Sequence, residues 1–160
     1  MSIEKVRQYF KGIGIEEKIK EFPVSSATVE LAAKAEGIIP GRICKTISFQ
    51  DGEDGCILVQ TAGDTKINSG KFKKAFGIKA KMLSAEDVLK FTGHEVGGVC
   101  AFGIDHPSVR VYADVSMKRF DTMFPACGSS NSAIELTNDE LFTYSKALKW
   151  VDVCKITEEK

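Results

Sequence analysis

The sequence has no surplus charge of either sign: 22 lysines and arginines are matched by 22 aspartates and glutamates, for a formal net charge of zero. A chain without a net field does not gather polyanions over its whole surface, so any contact with nucleic acid has to be local. Histidine is scarce, with only His94 and His106, and neither belongs to a His-Glu-x-x-His metal helix. The five cysteines, Cys44, Cys56, Cys100, Cys127 and Cys154, are odd in number, scattered and free of Cys-x-x-Cys spacing. That pattern argues against a disulfide framework and a zinc site, and reduced thiols suit a cytoplasmic protein. No run approaches membrane-spanning length, and the first ten residues lack the apolar core of a signal peptide. There is no Gly-x-Ser-x-Gly elbow, no phosphate loop and no Rossmann spacing, so three common routes to catalysis or nucleotide binding are closed.

What is present is an ordinary globular composition, 43% hydrophobic and 28% charged over 160 residues, enough for one domain spanning 1–160 with a sizeable core. Ile3, Val6 and Phe10 give a short amphipathic helix, started by Ser2 and stopped by Gly12 and Gly14, expected to lie on the body as a lid. Residues 17–23 alternate like a half-exposed strand. A second helix is expected from a Ser26 N-cap to Gly37. Residues 42–49 and 56–62 read as a hairpin of strands around the polar turn Asp51 to Gly55, the second strand apolar enough for a sheet centre. Asn68 caps a helix ending at Gly77, residues 79–83 look like a short strand, and Ser84 caps a helix reaching Phe91. Strands follow at 109–114, 133–136 and 150–153, with about one helical turn at 116–120 and a capping box at Thr137 to Glu140 before the last helix. Strands that occur both in hairpins and between helices imply an α/β (α+β) fold, one mixed, strongly curved sheet with helices packed outside it.

Three stretches bear on chemistry. Thr92 to Gly103 places four glycines in twelve residues; it reads either as a plain connection or as a loop whose peptide N–H groups converge on a ligand. Lys45 shares a strand face with Ile43, Ile47 and Phe49. It either points inward, where it must snorkel, find a partner or lose its proton, or faces out while Cys44, Thr46 and Ser48 face the core. From Lys66 to Lys81 there are six lysines and no acidic residue, either a solvated helix face or a phosphate-backbone contact. His94 in the glycine loop is a base or simply a hydrogen-bonded residue, and Cys100, with no acid–His–Cys set around it, reads as a small pocket-lining thiol. His106, beside Pro107, reads as a surface residue. An inward lysine, backbone-donor loops and a basic flank suit polarising a carbonyl held at the end of a polyanion.

Four ordered blocks then carry a resemblance over nearly the whole chain: Cys44-Lys45-Thr46, Gly63-Asp64-Thr65-Lys66, the glycine loop Thr92 to Gly103, and Ala126-Cys-Gly-Ser-Ser-Asn-Ser-Ala-Ile-Glu-Leu136. The sequence resembles the YbaK/EbsC-type prolyl-tRNA-editing family, whose members hydrolyse wrongly charged aminoacyl-tRNA. The resemblance implies a YbaK-like, barrel-like mixed sheet and a pocket for the aminoacyl group and the terminal adenosine of tRNA. It implies Lys45 together with the backbone of Gly97, Gly98, Val99, Cys100 and Ala101 as the catalytic set. Thr46, Asp64, His94, Phe102, Gly128 and Ser129 are the implied substrate contacts, and Lys66, Lys71, Lys73 and Lys74 the implied tRNA contacts. No metal and no cofactor is implied; water, or in cysteine-selective members the substrate's own thiol, attacks the ester. The expected partners are the acceptor end of aminoacyl-tRNA and prolyl-tRNA synthetase, with no DNA and no membrane; a non-catalytic module that docks tRNA or a synthetase through the same pocket is the alternative. Two departures stand out. The family loop usually ends in proline where this chain has Ala101, and cysteine-selective relatives carry a serine near Ala126.

Overall fold

The computed structural model describes residues 2–157. Helices α1 (Ser2–Ile13), α2 (Val29–Glu36), α3 (Ser69–Phe76), α4 (Ala85–Thr92) and α5 (Asn138–Tyr144) surround a curled sheet. The strands are β1 (Lys20–Glu21), β2 (Ile43–Gln50), β3 (Cys56–Ala62), β4 (Thr65–Ile67), β5 (Val109–Asp114), β6 (Thr122–Pro125), β7 (Ser132–Ala133), β8 (Leu136–Thr137), β9 (Trp150–Val151) and β10 (Cys154–Ile156). Six of them form one mixed sheet in the order β8-β6-β2-β3-β5-β9, and β1-β7 and β10-β4 form two antiparallel pairs.

β3 lies at the centre with every residue buried, as its apolar run over 56–59 requires, and the buried Gln60 and Thr61 bond to the side chains of Ser145 and of Thr65 and Ser116, respectively. It pairs antiparallel with β2 and parallel with β5. Both faces are covered. On one, Phe49, Ile57 and Val59 pack against Phe72 of α3, with ring centroids of Phe49 and Phe72 4.6 Å apart. On the other, Leu58 packs with Phe91 and Ala101, and Cys44 and Ala62 join a cluster containing Val6, Phe10 and Phe102. Lys45 in the middle of β2 is half-buried beside Thr46 and Ile47, and its ammonium reaches a carbonyl partner, Thr65 O.

The feature that positions the site is a gap in this sheet. β6 runs parallel to β2 but pairs with it only at Ile43–Phe124 and Cys44–Pro125. Beyond Cys44 the two strands part, and the edge of β2 from Lys45 to Ile47 looks into a cavity, before Ser48 O accepts from Leu83 N–H.

Local capping chemistry was readable where the cap and helix are contiguous. Asn68, Ser84 and Thr137 accept from the backbone N–H three residues on, and Thr137 with Glu140 completes a reciprocal capping box. Several expectations are corrected. α1 is not a lid: Val6 and Phe10 are fully buried, and Phe10 meets Phe102 at 4.9 Å. Residues 17–23 are no alternating strand. A 3-10 turn at Glu16–Lys18 leads into the two-residue β1, whose pairing with β7 bonds only Lys20 and Glu21. The cap of α2 is Thr28, whose side chain accepts from Leu31 N–H, while Ser26 is tied to Ser130. Around 79–83 only Met82 bridges, to Phe49, because Lys81 and Leu83 bind the strand end rather than a full edge. Residues 133–136 split into β7 and β8, which pair with different strands.

Candidate active site

The cavity beside β2 has a volume of about 240 Å³ and a mostly apolar lining. Thr28 with Val29 and Ala32 of α2 forms one wall, Lys45 to Ser48 a second, and Val96, Gly97 and Val99 of the glycine loop a third. Ala126, Ser132 and Ala133, on either side of the second glycine turn, close it. Met82 and Val96 stand at 65% and 68% exposure, giving the mouth an apolar rim.

The two glycine turns meet. A Cβ on Gly98 would lie 2.9 Å from the N, Cα and C atoms of Ser129, so backbone packs directly on backbone there. Gly97, at φ +100°, is held in a conformation that side chains resist, and a Cβ there would meet Ala27 and Ser130 at van der Waals distance. The Gly98 N–H closes the loop on Glu95 O at 3.0 Å. On the far side of this contact a second, wider cavity is lined by Lys5, Glu95, Gly98, Gly128, Ser129 and Asn131, among others. The Ser129 hydroxyl is held at 2.7 Å by Ser132 and at 3.0 Å by Asn131 Oδ1.

Lys45 is half-buried and its ammonium donates to the Thr65 carbonyl. Burial pulls its pKa below the ordinary lysine value; Cys154, Asp64 and Glu30 counter this by favouring the charged form, and Lys66 opposes it. Thr46, next on the same strand, lines the cavity as well. Among the described residues that line the cavity there is no carboxylate and no imidazole, and Lys45 is its one ionisable amine.

Other residues singled out from the sequence lie behind or beside the cavity. His94 is fully buried; its Nε2 lies 3.0 Å from Phe102 O, and Nδ1 has no partner. Burial lowers its pKa, with the Phe102 carbonyl pulling the other way and Lys5 adding to the fall, so the ring is neutral at pH 7. Cys100 is also fully buried, with Sγ 3.6 Å from His94 Nε2, and burial pushes its thiol up to about 12. It is a core thiol rather than one lining the cavity, and at pH 7 it is not a thiolate. Phe102 is wholly in the core, and Ala101 is buried at the edge of a different, smaller cavity beside Tyr9 and His106. His106 is half-buried, packed edge-on to Phe91 at 4.9 Å. The Asp64 carboxylate lies away from the cavity lining, gripped by both terminal nitrogens of Arg119 at 2.6 and 3.1 Å.

The basic stretch divides too. Lys71 Nζ is engaged by Asp152 Oδ1 at 3.0 Å and Cys154 O at 3.1 Å, whereas Lys66, Lys73 and Lys74 are exposed. Among the described residues, no group of three or more His, Cys, Asp or Glu side chains is placed to hold a metal ion, and no helix is long and apolar enough to cross a membrane.

Sequence reasoning missed the α2 wall, Met82 and Arg119. Ser26 reads from the sequence as a cap, whereas Ser26, Ala27 and Thr28 line the cavity. Nothing local marks Arg119, whose partner lies 55 positions away.

Comparison with known proteins gives a consistent picture. Residues 24–144 match the aminoacyl-tRNA editing domain family. Over 155 residues the chain is 52% identical to the uncharacterized protein YwhH of Bacillus subtilis (strain 168), covering 97% of this chain and 98% of that protein. It is 28% identical over 144 residues to the proline–tRNA ligase of Caldicellulosiruptor bescii, covering 89% of this chain and 24% of the ligase. A crystal structure described as that of a candidate trans-editing enzyme for prolyl tRNA synthetase superposes with a TM-score of 0.85 at 27% identity, over 96% of this chain and 97% of that one.

Proposed function

The chain belongs to the aminoacyl-tRNA editing domain family, and on that premise we propose that it is a trans-editing hydrolase that deacylates mischarged tRNA. The substrates in this reading are prolyl isoacceptors carrying cysteine, alanine or another small amino acid, and the setting is the cytoplasm. The observation that carries the proposal is the cavity in which Lys45 and the glycine-loop residues Gly97 and Val99 share one wall system beside the β2 edge. Its volume of about 240 Å³ and apolar lining suit a small aminoacyl group.

In this mechanism the Lys45 ammonium, held by the Thr65 carbonyl, orients the aminoacyl ester. The Gly98 N–H is spent on Glu95, so the N–H groups of Gly97 and Val99 are the donors for the ester oxygen. Water adds to the ester carbonyl carbon, and negative charge builds on the former carbonyl oxygen, where those donors and the ammonium stabilise it. Collapse breaks the bond to the ribose oxygen, which takes a proton from the attacking water and leaves as tRNA, releasing the free amino acid. Lys66, Lys73 and Lys74 supply phosphate contacts along the acceptor stem, with Lys71 joining them if its surface pair with Asp152 opens.

The test is deacylation of a panel of mischarged tRNAs, prolyl isoacceptors first, by wild type and Lys45→Ala. Release of a small amino acid by wild type and its loss in the variant support the reading; full activity in the variant overturns the role of Lys45. One observation favours a second reading, a binding module without turnover: the described lining offers no carboxylate or imidazole to deprotonate water. Tight binding of mischarged tRNA with no release of amino acid would select it.

A further inference from the structure

The Gly63-Asp64-Thr65 turn between β3 and β4 lies outside the cavity, yet it supplies the carbonyl that holds the cavity's ammonium. It is pinned from several directions. A Cβ on Gly63 would come within 2.2 Å of Pro40 O and 2.8 Å of Val29 Cγ1, so the turn sits hard against the start of β2 and α2. The Thr65 hydroxyl donates to Ala62 O at 2.7 Å and lies 2.8 Å from Thr61 Oγ1, which in turn is 3.0 Å from Ser116 Oγ. Asp64 O accepts from both the N–H and the hydroxyl of Thr157. The strongest of these restraints is the Asp64 carboxylate, which receives two parallel N–H bonds from Arg119. Arg119 is itself fixed, its Nε donating to Ser116 O at 2.8 Å and its guanidinium lying over the Phe120 ring.

These contacts close a ring, Thr65, Thr61, Ser116, Arg119, Asp64 and back through the turn to Thr65, from which Lys45 is held. Two-pronged guanidinium–carboxylate geometry fixes orientation in a way that a lysine at 119 would not reproduce. The Asp64 side chain is only 15% exposed and that of Arg119 33%, so the pair is partly sheltered from solvent screening.

We propose that Asp64 and Arg119 form a positioning clamp: they fix the turn whose Thr65 carbonyl holds the ammonium of the cavity-lining Lys45. For its catalytic consequence this rests on the deacylase reading, but the tether itself needs no substrate. Asp64 has a second influence, through charge. The groups facing Lys45 are Asp64 in the turn, Glu30 on α2 and Cys154 on β10, which favour the ammonium, and Lys66 on β4, which opposes it.

The experiment follows the Lys45 side chain directly, by NMR titration of lysine Cε and Nζ resonances in wild type, Asp64→Asn, Arg119→Lys and the control Arg110→Ala. The control breaks the exposed pair of Arg110 with Asp51. Steady-state deacylation is measured on the same set. The clamp requires the Lys45 titration to move to lower pH in Asp64→Asn and the alkaline limb of activity to move with it. In Arg119→Lys, kcat should fall about tenfold or more, as expected for a misplaced catalytic group, while KM for tRNA holds. Arg110→Ala should change neither. A Lys45 titration in Asp64→Asn that overlays wild type overturns the clamp, as does wild-type kcat in Arg119→Lys. If wild type releases no amino acid from any tRNA, the deacylase reading fails, and the titration alone still decides the clamp. Should Asp64→Asn not fold, the Lys45 resonances of Arg119→Lys decide it: unchanged line shape and position overturn it.

Discussion

Gly98 and Ser129 touch backbone to backbone, with room for nothing larger than hydrogen between them. This contact joins the two glycine turns and fixes the distance across the cavity. Gly98→Ala is therefore expected to push the turns apart, costing about 1–3 kcal/mol of stability as overpacking does and lowering deacylation. Gly12→Ala, where a Cβ meets nothing within 4 Å in α1, should be neutral or gain up to about 1 kcal/mol. Urea unfolding of both variants checks the pair; equal stability would mean the turns can separate freely.

Lys45 carries a second expectation, on pH. Burial lowers its folded pKa below the ordinary value, so between the folded and unfolded values the unfolded chain binds the extra proton. Stability contributed through this group accordingly rises as pH climbs through that window. Relative to Lys45→Met, wild type should gain stability as pH climbs towards the ordinary lysine value, while its deacylation falls as the ammonium is lost. Parallel denaturation and rate profiles of the two proteins test both signs.

His94 works in the core. Its folded pKa is depressed by burial, so the unfolded chain takes up a proton first as pH falls, and the stability linked to neutral His94 is lost below the unfolded value of about 6.5. Denaturation at pH 7 and pH 5 should show wild type losing more stability than His94→Gln. The variant should be destabilised at pH 7 while keeping its dependence of activity on Lys45. A variant with wild-type stability and no turnover would instead mark His94 as a base.

Lys73 and Lys74 are exposed on α3. In the tRNA-binding reading, Lys73→Glu and Lys74→Glu should raise KM for charged tRNA, and each neutralised contact should flatten the log K against log salt slope by about 1. A small aminoacyl ester used as substrate should show neither change.

The sequence announced those parts of the fold in which neighbours in the chain are neighbours in space. The caps at Asn68, Ser84 and Thr137, the β2–β3 hairpin and the buried β3 run depend on residues a few positions apart, and pattern reading reached them. The glycine loop was visible from its spacing, but its packing against Ser129 was not, because it depends on a turn 31 positions later. Asp64 was marked by family likeness, yet its partner Arg119 carries no local signal, and only the tertiary fold turns the carboxylate away from the cavity. α1 looked like a lid because its Ile3, Val6 and Phe10 stripe is short and mixed with charge; the Phe10–Phe102 contact makes it part of the core. The gap between β2 and β6 that forms the cavity is a matter of register, which a strand pattern does not encode.

The central claim is that an aminoacyl ester lies between the Lys45 ammonium and the amides of Gly97 and Val99. Its most direct measurement is an NMR titration with a non-hydrolysable, amide-linked aminoacyl-adenosine. The account predicts saturable shifts of the Gly97 and Val99 N–H signals and of the Lys45 Nζ resonance, with weakened binding in Lys45→Ala. Saturable binding that shifts residues around the Tyr9–His106 cavity and leaves Gly97, Val99 and Lys45 unmoved would contradict it.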